Sequence, residues 1–307
     1  MSEFDWEWQK LRAECELKDL EGDAFETRFQ EIAKSAWKED FTPTIPMGSR
    51  GDLKCDGFRR STGTVYQCYG PRYGQVAVAE ALRKIDEDFK GASGHWGDTL
   101  REWKFVVNLF RDRVPSEIVR SIANLSEVLK VAAGAFNRSD IIDLIRSLPA
   151  PERAALYGRA PRTVDMAKIT YANLGRALAT LKKAISIDRM EPIPISASLA
   201  KKVRFNLLPD STRHFLSIGQ AGVPKVRNYL AEQADPEESE RMAEGFRSRY
   251  GECVAEALEP EKIFAEMLSF AGGNSGESDR DAAALAIVTH FFVTCQIFEI
   301  PPEGAQE

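Results

Sequence analysis

Cysteine is scarce and shows no site spacing: Cys15, Cys55, Cys68, Cys253 and Cys295 are the five residues, with no CxxC and no Cys/His pattern of a zinc site. An odd number of scattered thiols fits reduced cysteines in a cytoplasmic protein. Histidine is scarcer still, with three residues, His95, His214 and His290, which leaves little material for His-based zinc or triad chemistry. No GxGxxG and no P-loop occurs, which weakens dinucleotide and nucleoside-triphosphate readings. No apolar run approaches the ~20 residues that span a bilayer. The opening Met-Ser-Glu-Phe-Asp-Trp-Glu-Trp is acidic and lacks the apolar core of a signal peptide, so no membrane association and a cytoplasmic location are expected. Positive charge is not in excess either: the formal net charge is −6, which argues against non-specific coating of nucleic acid and leaves room for a local basic cleft.

What is present is enough for two cored domains: 307 residues, 43% hydrophobic and 29% charged. The chain is organised around residues 51–71. Leu53–Arg59 and Thr64–Tyr69 are short runs of strand formers, separated by Arg60, Ser61, Thr62 and Gly63, a loop of hairpin length. Alternation along a strand puts Asp52, Lys54 and Asp56 on one face, and Val65, Gln67 and Tyr69 on one face of the next. Pairing across the loop brings Asp56 and Gln67 within reach of one ion. A carboxylate and an amide carbonyl are hard oxygen donors, suited to Mg²⁺ or Mn²⁺; the other reading is a solvated surface hairpin.

Before the hairpin, Phe25, Phe29, Ile32 and Ala36 form one face of a helix over residues 19–36, with Asp23 as N-cap and Glu26 as its capping-box partner. Glu26 stands beside the apolar stripe, where it can also look toward the hairpin. Phe41–Pro46 reads as a short extended segment. After the hairpin, Val76–Phe89 is an amphipathic helix, Gly91–Gly97 a loop, and Trp103–Phe110 a strand buried on both faces. Pro115 opens a helix to about Lys130. A helix, a three-strand meander, a helix and a further strand make an α/β sandwich. Ile141–Leu148 reads as a short apolar helix capped by Ser139-Asp140, and the prolines at 149, 151 and 161 set a boundary near residue 160. Beyond it the periodicity is helical, with stripes at Tyr171, Leu174, Leu178 and Leu181 and at Phe246, Tyr250, Val254 and Leu258. The expected division is therefore 1–160, α/β, and 161–307, all-α.

Ala24-Phe25-Glu26, Gly51-Asp52-Leu53-Lys54-Cys55-Asp56-Gly57 and Tyr66-Gln67-Cys68-Tyr69 together resemble the PD-(D/E)XK nuclease superfamily, nearest its Mrr-like restriction endonuclease branch. The resemblance implies a restriction-endonuclease-like αβββαβ core and a Mg²⁺-dependent (or Mn²⁺-dependent) DNA endonuclease, with Glu26, Asp56 and Gln67 holding metal. Tyr69 stands where that motif has its lysine. A neutral phenol cannot imitate a cation, so Lys54 becomes the first candidate for the catalytic cation and Arg72 the second; Lys54 could instead pair with Asp52. Arg59, Arg60 and Arg72 flank the hairpin and could contact the phosphates of double-stranded DNA or form a solvated rim. In the second half, Lys202-Val203-Arg204-Phe205-Asn206 and Phe291 to Pro301 look like the C-terminal domain of effectors of bacterial ABC-three-component systems. That resemblance implies an anti-phage or anti-plasmid effector held by a small middle component and an ABC- or SMC-type ATPase, with a homo-oligomer as the natural way to cut two strands. The alternative reading is a catalytically inactive nuclease-like module that binds DNA or partners as a scaffold.

Overall fold

The computed structural model describes residues 3–45, 53–71, 78–108, 113–182, 199–233, 238–273, 276–294 and 297–301. The chain divides by its contacts into a unit of Glu16–Arg153 and a unit made of Met1–Cys15 with Ala154–Glu307. The sequence places the division at residue 160 and assigns residues 1–15 to the first part; the contacts assign those residues to the second.

In the 16–153 unit the apolar stripe of α2 (Gly22–Trp37) buries Phe25, Phe29, Ile32 and Ala33. Five strands follow, β1 (Phe41–Pro43), β2 (Gly57–Arg59), β3 (Thr64–Tyr69), β4 (Glu102–Val107) and β5 (Ala132–Phe136), in one sheet of order β1-β2-β3-β4-β5. β1, β2 and β3 pair antiparallel, whereas β3-β4 and β4-β5 are parallel. The parallel steps are bridged by α3 (Val78–Trp96) and α4 (Ser116–Leu129), as a crossover requires. The expected order of helix, three strands, helix and strand is present, with α4 and β5 completing a mixed sheet.

The two faces of that sheet are filled differently. Val65 and Tyr69 of β3 and Trp103, Phe105 and Val107 of β4 pack with Ala81, Ile85 and Phe89 of α3 and Ile118 and Ile122 of α4. The Phe89 ring stacks on Trp103 at 4.6 Å. On the other face Tyr66 meets Phe29, Phe41 and Phe136. Each such aromatic contributes a few kcal/mol through the area it removes from water.

Several local expectations are corrected. The first hairpin strand is confined to Gly57–Arg59, because Leu53 and Lys54 take left-handed φ of 57° and 59°; the common face expected for Lys54 and Asp56 does not form, and Asp52 lies outside the described residues. Helix α2 starts at Gly22 with Glu21 at its N-cap and no side-chain cap bond, so Asp23 sits in the first turn and the Asp23–Glu26 capping box is not made. The expected loop at Gly91–Gly97 is helical as far as Trp96. Gly91 is there for space: a Cβ on it would lie 2.7 Å from the Cγ of Lys54, whose side chain crosses α3 at that point. Trp96 closes the helix by stacking on Phe58 at 4.7 Å. The helix α5 (Arg138–Ser147) is capped by Asn137, with Asp140 as its box partner in place of a Ser139-Asp140 cap. Strand β5, Ala-Ala-Gly-Ala-Phe, carries no β-branched residue, which is why propensity passes over it.

The other unit is helical: the first turns of α1 (Glu3–Asp19), then α6 (Ala150–Tyr157, which its boundary divides), α7 (Thr163–Lys168), α8 (Tyr171–Lys182), α9 (Leu199–Phe205), α10 (Asp210–Gln220), α11 (Val223–Ala231), α12 (Glu238–Ala255), α13 (Pro260–Phe270) and α14 (Ser278–Val293). Helix α14 is buried on every side from Asp281 to Phe292, the pattern of a helix at the centre of a core. Among the second-half stripes, Leu174, Leu178 and Phe246 are buried while Tyr171 and Val254 are exposed. Arg12 of α1 reaches Asp281 of α14 in a buried ion pair of 2.7 Å, and Trp8 sets its edge against Phe215 at 5.2 Å. No helix among the described residues is long and apolar enough to cross a membrane.

His290, 8% exposed in the middle of this core, gives the unit a pH dependence. Burial, with a smaller contribution from Arg227, pushes its imidazole down to about 4. The unfolded chain takes up this proton as pH falls through its ordinary value near ~6.5, whereas the folded chain resists until about 4. Stability is therefore full above the unfolded value and declines between the two. Urea unfolding at pH 7.5 and 4.5 should show the wild type losing about 2 kcal/mol more than His290→Leu over that interval; equal losses would contradict the assignment.

Candidate functional site

The open edge of β3 makes the site. Strand β2 stops at Gly57, so among the described residues β3 has no antiparallel neighbour beyond Tyr66, which pairs with Gly57. Asp56 makes one more backbone bond, from its N–H to the Tyr66 carbonyl at 2.9 Å, and then its side chain replaces the ladder. Asp56 Oδ2 accepts from the backbone N–H of Cys68 at 2.6 Å and from Nε2 of Gln67 at 2.8 Å. Both residues are 3% exposed. A carboxylate held by two donors is fixed in direction.

Gln67 is the polar member of a row with Val65 and Tyr69 on the face that α3 covers. Its Nε2 is used by Asp56, and its Oε1 is buried with no hydrogen-bond partner. An unpaired buried amide oxygen costs about 1–3 kcal/mol, so its retention beside a carboxylate calls for a ligand or a solvent molecule. Glu26 is brought to the same locality by α2. Its Oε1 accepts from Nε2 of Gln30 at 3.1 Å, and the same Nε2 donates to the Asp56 carbonyl at 2.7 Å and the Thr44 carbonyl at 3.3 Å. Gln30 thus ties the helical acid to the Asp56 backbone. The i,i+4 spacing of Glu26 and Gln30 was the available sequence signal for it.

The buried Cys68 thiol reports the charges around the site. Burial raises its pKa most, the Asp56 and Glu26 carboxylates raise it further, and the ammonium of Lys84 opposes them. Glu26, Asp56 and Gln67 are therefore gathered about one stretch of β3. Among the described residues no group of three or more His, Cys, Asp or Glu side chains is set to hold a metal ion; Glu26, Asp56 and Gln67 offer two carboxylates and an amide.

Lys54 is placed elsewhere. Its ammonium pairs with Asp88 of α3 at 2.8 Å, and Lys84 pairs with the other oxygen of the same carboxylate at 3.0 Å. Asp88 is 2% exposed, so one buried carboxylate serves two lysines. Tyr69, at the position of the motif lysine, stacks its ring on Phe105 at 5.7 Å; burial and the Glu80 carboxylate raise its pKa, which keeps it a neutral phenol. Arg59 donates from Nε to Asp40 at 2.9 Å and lies over the Trp37 ring at 4.9 Å. Hydrogen bonds from Ser61 and Arg59 hold the Asp40 carboxyl down at about 2. Arg60 donates to the Glu39 carbonyl at 2.5 Å, and Arg72 lies outside the described residues.

In the helical unit the two stretches singled out from sequence are bound to one another. Lys202, 1% exposed, donates from Nζ to the carbonyls of Phe292 at 2.8 Å and Ile297 at 2.7 Å and sits over the Phe292 ring at 4.7 Å. Asn206 and Glu299 exchange two bonds, Nδ2 to the Glu299 carbonyl at 2.9 Å and the Glu299 N–H to Oδ1 at 2.8 Å. A buried lysine that donates to two carbonyls and a backbone-reading asparagine form a specific clasp between α9 and the segment after α14. Residues 163–299 match the family model for C-terminal domain 10 of the ABC-three component (ABC-3C) systems. This C-terminal domain 10 match covers just under half of the chain and contains both halves of the clasp. No curated protein and no solved structure gave a significant match.

Proposed function

We propose that the chain is a divalent-metal-dependent DNA endonuclease effector of a prokaryotic defence system, with cutting in the 16–153 unit and partner engagement in the helical unit. The observation that carries the nuclease reading is the buried Asp56–Gln67 pair at the open edge of β3, with the Gln67 Oε1 left unpartnered. A fixed carboxylate beside an orphaned amide oxygen, with Glu26 in the same field, fits a hard cation such as Mg²⁺ or Mn²⁺. Asp56, Gln67 and Glu26 would hold it; when bound it neutralises phosphate charge and lowers the pKa of a coordinated water. The chain's own residues do the rest: Gln30 positions Glu26 against the Asp56 backbone, and Cys68 and Gln67 aim the Asp56 carboxylate. The resemblance to PD-(D/E)XK nucleases, in element order and in these three residues, supports the same reading.

The C-terminal domain 10 match supports the setting, a multi-component system whose further members are an ABC- or SMC-type ATPase and a small middle component. An acidic effector with weak attraction to DNA when idle suits an activity that partners must license. A scaffold reading has its own support in Tyr69, which gives the β3 site no cation, and in Arg59 and Arg60, which are engaged within the chain. Cleavage of linear and circular duplex DNA with Mg²⁺ or Mn²⁺, with and without the partner components, separates the two. Metal-dependent cutting supports the nuclease; DNA or partner binding without cutting under every condition supports the scaffold.

A further inference from the structure

The two edges of the five-stranded sheet are finished differently. At one edge β1 is three residues long, ends in Pro43, which has no N–H to offer, and gives its Phe41 carbonyl to the Lys34 ammonium at 3.1 Å. At the other edge β5 is longer and bare. It pairs with β4 along one side, and among the described residues no hydrogen bond joins residues 132–136 to anything else. In a parallel pair, alternate residues of the outer strand turn their N–H and C=O groups away from the partner. Unpaired backbone groups of this kind are a template for another strand.

The guards that normally blunt an edge are missing from β5. Its sequence, Ala-Ala-Gly-Ala-Phe, has no charge and no proline, and its register with β4 is unbroken, so no bulge twists the edge away. The helices leave the edge itself open: Ala133 and Ala135 pack on the α3 and α4 side, Phe136 meets Phe29 and Tyr66 on the α2 side, and Ala132 is exposed.

The strand complements itself. In antiparallel order about its central residue, Gly134, Ala133 lies opposite Ala135 of a second copy and Ala132 opposite Phe136, so each large ring meets a small neighbour. The ends agree in charge as well. Exposed Lys130 stands just before the strand and Asp140 just after it. Antiparallel order brings the start of one strand to the end of the other and so sets each lysine beside the copy's aspartate; a parallel neighbour would set lysine beside lysine. We propose that β5 is a two-fold seam, at which a second copy of this chain adds its own β5 antiparallel with Gly134 opposite Gly134. Such a contact is isologous and closes at two copies. One sheet then runs through both. The inference needs neither metal nor DNA and goes beyond the nuclease reading; joined to that reading, it gives two Asp56 edges related by a two-fold axis, as the two backbones of a duplex are.

The test uses the full chain, first without DNA, metal or partner components. Analytical ultracentrifugation should show a reversible dimer, and amide exchange in residues 132–136 should slow as the concentration rises. Gly134→Cys is the direct probe: residues opposite one another on antiparallel strands have Cα atoms about 4.5–5.5 Å apart, within the span of a disulfide, so mild oxidation should join two copies through position 134. Within its own copy the new Cβ meets only the flexible end of Lys104, at 3.4 Å. Wild type and Ala123→Cys, the latter exposed on α4, are oxidised alongside and should not link in this way. Gly134→Lys puts like charges at the axis and should weaken the dimer about 10-fold or more with unchanged circular dichroism. A wild type that stays monomeric to about 100 μM would overturn the seam, as would a dimer that Gly134→Lys leaves intact and Gly134→Cys does not link. Linking of Gly134→Cys to a partner component alone would give the edge to that component's strand and overturn it too. Nicking of circular duplex by a chain that never dimerises would leave the nuclease reading standing without the seam; a linked dimer that neither binds Mn²⁺ nor cuts would leave the seam without the nuclease.

Discussion

Asp56→Asn and Asp56→Ala are expected to abolish metal-dependent cutting alike and to differ in stability. Asparagine keeps an oxygen that can accept from Cys68 N–H and from Gln67 Nε2, the two bonds now made to Oδ2 at 2.6 and 2.8 Å, while its other oxygen and the charge give way to a neutral amide nitrogen. A carboxylate that anchors a divalent ion is worth roughly 100-fold or more in rate, so cutting by Asp56→Asn should fall by at least that factor with an unfolding midpoint close to wild type. Alanine removes the acceptor as well and strands two buried donors, for a loss of about 2–3 kcal/mol. Mn²⁺ titration, cutting assays and urea unfolding on the same three proteins decide the matter. An Asp56→Asn protein that cuts normally would return Asp56 to a purely architectural role.

Lys202→Met should produce a large loss of stability. Methionine fills the channel that the lysine stem occupies, yet it gives the Phe292 and Ile297 carbonyls nothing to accept. Losing two charge-assisted bonds at a position 1% exposed costs about 3 kcal/mol. The removal of one buried charge offsets part of this, so Lys202→Ala, which adds a cavity, should lose more. A lowered urea midpoint with an unchanged slope would assign the effect to the folded state. Hydrogen exchange should quicken along residues 199–206 and 297–299 before it does in the sheet. A midpoint within 0.5 kcal/mol of wild type, roughly the noise of surface substitutions, would show the clasp to be dispensable.

Much of the architecture was readable because its signals are local. The Phe25–Phe29–Ile32 spacing identifies α2, the loop from Arg60 to Gly63 identifies the hairpin, and Pro115 marks the start of α4. The pairing of Asp56 with Gln67 followed from strand alternation across that loop and is observed. What escaped depends on contacts distant in sequence. Lys54 looked like a strand neighbour of Asp56, but a left-handed backbone at Leu53 and Lys54 and the pull of Asp88, thirty-odd residues on, turn it toward α3. Gly91 and Gly94 read as a loop because glycine is a poor helix former; the helix persists because Ala92 is buried and Trp96 is held by Phe58. Helix α1 carries an apolar stripe in Phe4, Trp8, Leu11 and Cys15 set among acidic residues, so its mean composition masks its periodicity.

The division of the chain has a consequence for its connectivity. Because Met1–Cys15 clusters with Ala154–Glu307, the 16–153 unit is an insert, entered and left from the same helical body, and not a bead at the end of a string. One proteolytic nick near residue 153 therefore leaves two fragments that remain associated, held through Trp8 against Phe215 and Arg12 against Asp281. Co-elution of the nicked fragments in size-exclusion chromatography is the expected result, and their separation under native conditions would show that those contacts do not bind the N-terminal turns on their own.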